Sequence, residues 1–193
     1  MYEEIVALSK PYYEKGRLGD ELHIIYLQNR LSDLEQTVRN EGYDFDVLFA
    51  LTILHDVGYA KLPKGYDPYD LKIRKLHAGK SAEIAKVILS KVNFPKTKLP
   101  KTLRLIKHHD DWAFSKPLKD PEWRIFTDLD FAWEASIKGF DIVRSFLNQN
   151  RKEFLETVKQ DYSRKQKSYP FYLSTSKQLF LKDLSYWKKR LSH

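Results

Sequence analysis

The sequence predicts an all-α protein. Apolar residues recur at three- and four-residue spacing along most of the chain, no stretch sustains the alternation of a half-buried strand, and Gly or Pro punctuates the periodic segments. With 193 residues, 42% hydrophobic, 31% charged and 14% aromatic, the chain can bury a substantial core and is too rich in rings for a disordered one. A single domain over 1–193 is the expectation.

A first helix is expected from Tyr2 to Lys15, strained near Pro11, and a second from an N-cap at Asp20 to about Asn40, before Gly42. The third starts at Asp44 or Asp46 and carries Val47, Leu48, Leu51 and Leu54. Its last turn delivers His55 and Asp56 before Gly58 stops it. Tyr59 to Lys75 contains Pro63, Gly65, Pro68 and three tyrosines, and reads as a long functional connection able to form a lid. Leu76 to Val92 reads as the fourth helix, with His77 in line with Ile84 and Ile88, and Pro100 to His109 as the fifth. A sixth starts near Pro121 and passes Asp128 and Asp130 toward Gly139. Further helices are expected over Phe140–Gln166 and Ser174–Leu191, separated at Tyr169-Pro170.

With no cysteine, disulfides and thiolate chemistry are excluded, so any metal must be held by His and carboxylates. No apolar run approaches the roughly 20 residues that cross a bilayer, and Met1-Tyr2-Glu3-Glu4 lacks a basic leader, which points to a cytoplasmic protein without membrane contact. The net charge is +8, and Phe140–His193 holds 12 Lys and Arg against 5 Asp and Glu. Such an excess at helical spacing usually forms a solvated face; attraction of phosphates or nucleic acid is the alternative.

His23, His55, His77 and His109 are separated by 32, 22 and 32 residues, and Asp130 lies 21 further on. Each falls on a separate expected helix, and a bundle can build a metal site from one inward residue per helix. Adjacent helical residues point about 100° apart, so His55 and Asp56 reach one ion most easily near a helix end. His109 continues the stripe of Leu99, Thr102 and Ile106, whereas His108 points toward the Arg104 side. Taken singly, each histidine also fits a capping, core or surface role.

The segments "GDELHIIYLQ", "LTILHDVGYAK" and "FTDLDFAWEA", in that order, resemble the HD-domain superfamily of metal-dependent phosphohydrolases over about Asp20 to Ala135. The resemblance implies an HD-type helical bundle with a C-terminal helical extension over 140–193. It also implies a first metal held by His23, His55, Asp56 and an aspartate near 130. Asp130 is preferred there, with Asp128 held in reserve and otherwise read as a cap or surface carboxylate. "KLHAGKSAEIAKVIL" and "LRLIKHHDDW" resemble the extra histidine segments of two-metal members, which adds His77 and His109, with His108 as an alternative or additional ligand. Asp56 would bridge the ions, and Asp56, His77 and His109 would carry the catalysis.

A sulfur-free donor set suits Mn, Fe, Co, Ni or Zn. Two such ions would activate water for attack on the phosphate ester of a nucleotide or another small phosphorylated metabolite. Lys61, Lys64, Arg74 and Lys80 are candidates for its phosphates, with solvated-loop roles as the alternative. Val57-Gly58-Tyr59 after His-Asp departs from the acidic pair of the alarmone hydrolases, and "HHDDWAFSKP" lacks the Gly-x-Gly-Tyr-Pro of the cyclic di-GMP hydrolases. An HD-type diiron oxygenase uses the same ligand order and is the second expectation; a nucleic-acid-binding module is the third.

Overall fold

In the computed structural model, which describes residues 1–63, 65–114 and 116–192, the described residues form helices and no strand. The nine α-helices among them are α1 (Tyr2–Tyr13), α2 (Asp20–Asn40), α3 (Phe45–Leu54), α4 (Leu71–Lys91), α5 (Leu99–Lys107), α6 (Pro121–Trp133), α7 (Ile137–Phe146), α8 (Arg151–Ser168) and α9 (Ser174–Leu191). Tight 3₁₀ turns cover Val57–Lys61 and Asp111–Phe114. The all-α expectation is therefore met. None of these helices is long and apolar enough to cross a membrane. The chain divides into two compact units, Met1–Phe126 and Thr127–His193, with the boundary inside α6.

In the first unit α3 is apolar on every side: Val47, Leu48, Ala50, Leu51, Ile53 and Leu54 are fully buried. A helix without a polar face must run through the core, and α1, α2 and α5 pack around it. Asp44 caps it, its carboxylate accepting from the backbone N–H of Asp46 and Val47 at 3.1 and 3.3 Å. From α2, Leu27, Leu31, Leu34 and Val38 supply the facing stripe. Each such side chain contributes about 1.5–3 kcal/mol on burial.

Several boundaries differ from those expected. Asp20 is the first residue of α2 but not its cap. Gly19, in the left-handed region at φ 86°, precedes the helix, and the Asp20 carboxylate accepts from Arg17 N and Nε at 2.6 and 2.9 Å. A guanidinium three residues back outcompetes the helix amides. α4 starts five residues before Leu76, because Asp70 caps it through Lys72 N and Ile73 N at 2.7 and 3.2 Å. The last five residues of the expected lid, Leu71–Lys75, are thus helix.

In the second unit, Gly139 does not end α6 but lies inside α7, which Ser136 caps at Gly139 N. The single helix expected over Phe140–Gln166 is two, parted where Asn148 adopts φ 51° and Asn150 forms a capping box with Glu153. Phe140 stacks on Trp187 with ring centroids 4.1 Å apart, and the indole N–H donates to Ala135 O at 3.0 Å.

Gly58 has a reason beyond ending α3. A Cβ there would lie 2.1 Å from His77 O and 2.6 Å from Ser81 N, both backbone atoms of α4. Gly58 N also donates to Ser81 Oγ at 2.8 Å. The 3₁₀ turn therefore lies directly on α4. We expect Gly58→Ala to cost about 2 kcal/mol or more, since helix backbone cannot rotate away as a side chain can, whereas Ser81→Ala should cost about 1 kcal/mol. Denaturant unfolding measures both, and equal losses would contradict the close-packing explanation.

Candidate metal centre

Three of the four histidines lie at or beside a helix end, and the fourth lies within a helix. His23 lies in the first turn of α2, its N–H bonded to Gly19 O at 2.9 Å. His55 caps the C-terminus of α3 and Asp56 follows. His77 is two turns into α4, and His109 lies just past α5. All five of these side chains are buried.

Three imidazoles share one arrangement. Nδ1 of His55 lies 2.9 Å from Thr52 O, that of His77 3.2 Å from Ile73 O and that of His109 2.8 Å from Ile106 O. A carbonyl only accepts, so Nδ1 carries the proton in each and Nε2 presents its lone pair. Those Nε2 atoms converge on Asp56: His55 lies 3.3 Å from Oδ2, while His77 and His109 lie 3.1 and 3.4 Å from Oδ1. His77 Nε2 and His109 Nε2 are themselves 3.0 Å apart.

Lone pairs facing one another beside a carboxylate need a cation between them, and a ring fixed through its other nitrogen is how proteins orient metal-binding histidines. Two groups meet the geometry. In His23, His55 and Asp56, and again in Asp56, His77 and His109, one ligand atom from each residue lies within 4.8 Å of the others. These buried groups could hold metal ions, with Asp56 common to both.

Two arginines border the groups. Arg17, from the α1–α2 loop, donates to Asp56 Oδ2 and to Asp20, and its guanidinium lies 3.9 Å above the Tyr59 ring. Arg74 Nη1 donates to Asp110 Oδ1 at 3.0 Å, and Asp110 Oδ2 is 3.7 and 3.9 Å from the Nε2 atoms of His77 and His109. Tyr59 is buried and stacks on His77, centroids 3.9 Å apart, with Tyr66 stacked on Tyr59 at 5.5 Å. Phe126 closes another side, 4.8 Å from the His55 ring.

Burial pushes the Asp56 carboxyl up, but Arg17, His55 and His109 outweigh it and hold Asp56 well below the usual carboxylate range. Burial lowers His77 against the pull of Asp56, and the net direction is down, which favours the neutral ring a ligand requires. Asp20 moves the other way: burial and the charge of Asp56 raise it despite Arg17.

Several expected residues are not among the members of these two groups. His108 turns its Nδ1 to Asp111 Oδ2 at 2.9 Å and belongs to neither group, because the chain has left α5 and the two rings diverge. Asp130 is in the second unit and in neither group. Lys80 pairs with Glu83 at 2.9 Å, Lys61 is exposed at the end of its 3₁₀ turn, and Lys64 lies outside the described residues. Among the described candidate cations, Arg74 is the one that reaches Asp110. Trp123 and Trp133 are core, while Trp112 is half-buried beside Arg74.

The sequence reading missed Arg17 and Asp110. "HHDD" placed Asp110 next to a candidate ligand, a signal that was there to use. Arg17 sits in a Gly-flanked loop with no periodicity to mark it.

Asp128 is neither a cap nor a surface group. Inside the second unit its Oδ1 meets Lys165 Nζ at 2.9 Å, both side chains 1% exposed, and its Oδ2 accepts from Tyr172 N and Leu173 N at 2.7 and 3.1 Å. Lys165 thus departs from the expected solvated basic face, lying also 4.7 Å from the Tyr169 and Phe171 rings. Asp128→Ala should destabilise by about 3–5 kcal/mol, leaving a buried ammonium and two amides without their acceptor. Denaturant unfolding with metal analysis of the folded fraction tests this; lost metal at unchanged stability would make Asp128 a ligand instead.

No family model matches the chain, and neither a curated protein nor a solved structure matches it. The case for a metal centre rests on its donor geometry.

Proposed function

We propose that this chain is an HD-type metal-dependent phosphohydrolase acting on a phosphate ester of a nucleotide or another small phosphorylated metabolite. The observation that carries the reading is the division of Asp56: Oδ2 faces His55, and Oδ1 faces His77 and His109. A carboxylate with one oxygen toward each of two histidine groups could serve two ions at once, and such a pair would suit in-line displacement at phosphorus.

Divalent ions of the Mn, Fe, Co, Ni or Zn type, when bound, would supply water deprotonated near neutral pH and neutralise charge gathering on the phosphoryl oxygens. The chain's own groups do the rest. Asp56, His77 and His109 hold the reacting region, and the carbonyls of Thr52, Ile73 and Ile106 keep the imidazoles in the binding tautomer. Arg17 orients Asp56 through Oδ2. Arg74, whose Nη1 donates to Asp110, would offer a phosphoryl group its remaining N–H donors, which a guanidinium can present in parallel and an ammonium cannot. Tyr59 covers one face of His77 and excludes water there.

The same nitrogen and oxygen donors serve iron, so an HD-type diiron oxygenase is the second reading. Elemental analysis of purified protein should find two transition-metal equivalents. Asp56→Ala should lose both without unfolding; His77→Ala should lose one. A panel of phosphomonoesters and nucleotides with Mn, Co or Ni should reveal turnover that Asp56→Ala lowers by more than about a hundredfold, beyond the range of residues that only support ligands. A fully loaded centre that turns over no ester sinks the hydrolase reading, and iron with oxygen consumption on a polyol or phosphonate would favour the oxygenase.

A further inference from the structure

A cavity of about 300 Å³ opens between the start of α4, the end of α5 and the Asp111–Phe114 turn, lined by Arg74, Lys75, Lys107, Asp110, Phe114 and Lys116 among others. That volume is at the small end of the range for small-molecule sites. Of its two carboxylates, Asp110 is matched by the Arg74 guanidinium at 3.0 Å, while Asp111 accepts a hydrogen bond from the His108 ring at 2.9 Å. Lys75, Lys107 and Lys116 are exposed and form no ion pair among the described residues. Three ammonium groups against the single carboxylate of Asp111 leave a positive excess around one concavity, which concentrates positive potential there. Asp110 lines the cavity, and its Oδ2 is 3.7 Å from His77 Nε2. An anion bound in it would therefore lie one side chain from the second histidine group.

We propose that this cavity is an anion subsite for a second phosphoryl group of the substrate, remote from the one at Asp56. It selects diphosphates or bisphosphates over simple monoesters. The assignment of that group to a substrate rests on the phosphohydrolase reading; anion binding in the cavity does not. Lysine suits the task, since its ammonium follows a phosphate as a mobile point charge, while the fixed guanidinium of Arg74 stands at the inner end.

Chelator-treated protein titrated calorimetrically with inorganic pyrophosphate and with inorganic phosphate isolates the cavity from any metal. Pyrophosphate should bind more tightly than phosphate and weaken with salt. The Lys107→Ala/Lys116→Ala double variant, at two exposed positions, should bind it about tenfold more weakly. In the metal-loaded enzyme the same variant should raise KM about tenfold for a nucleoside 5′-diphosphate or 3′,5′-bisphosphate, leaving kcat and the monophosphate KM unchanged. The larger effect of the two tells adjacent from separated phosphoryl groups. Pyrophosphate binding indifferent to the substitutions, or equal KM changes for mono- and diphosphates, overturns the subsite. Pyrophosphate held by these lysines in a protein that hydrolyses no ester keeps the anion site and retires the hydrolase reading; hydrolysis without any cavity effect does the reverse.

Discussion

An ionised carboxylate inside a protein survives only with opposite charge and hydrogen bonds close by, because leaving water costs several kcal/mol. Asp56 meets that condition in part through Arg17, the three imidazoles facing it could hold the cation that completes it, and much of the first unit is arranged around this group. The apolar α3 must end in the interior to deliver the residue. The α1–α2 loop must return to bring Arg17, and α4 must approach within backbone contact of the following turn, which only glycine at 58 allows. The centre and the core are one packing problem.

Supports surround the proposed ligands in layers. Backbone carbonyls fix three ring tautomers, Tyr59 stacks on His77, and Phe126 backs His55. Groups held this way lose little freedom when a ligand arrives, which is what a preorganised site requires. On the far side of Asp110 the surroundings change from buried and matched to exposed and basic. That gradient would give the proposed phosphorylated substrate an attractive entrance and a rigid interior.

The second unit applies the same electrostatics to a different end. Asp128 is as deeply buried as Asp56, yet Lys165 and two backbone amides use up its acceptor capacity. Asp56 instead faces nitrogen atoms that present lone pairs. Burial alone does not mark a binding carboxylate; what its neighbours offer decides whether it stabilises a fold or awaits a cation.

The amino-acid sequence by itself determined the helical class, the bounds of α2 and α9, and the placing of His55-Asp56 at the end of an apolar helix, one histidine to each of four helices. These are properties of a turn or two of chain: periodicity, Gly and Pro punctuation, and the stretch between caps. Only the tertiary structure decided that Asp56 offers one oxygen to each group, that His109 faces His77 while His108 turns to Asp111, and that Asp128 answers Lys165. The same holds for the roles of Arg17, Asp110 and the lysines of the basic cavity. Each depends on the rotation and depth of one helix against another. Residues far apart in sequence meet through that packing, and no local pattern encodes it.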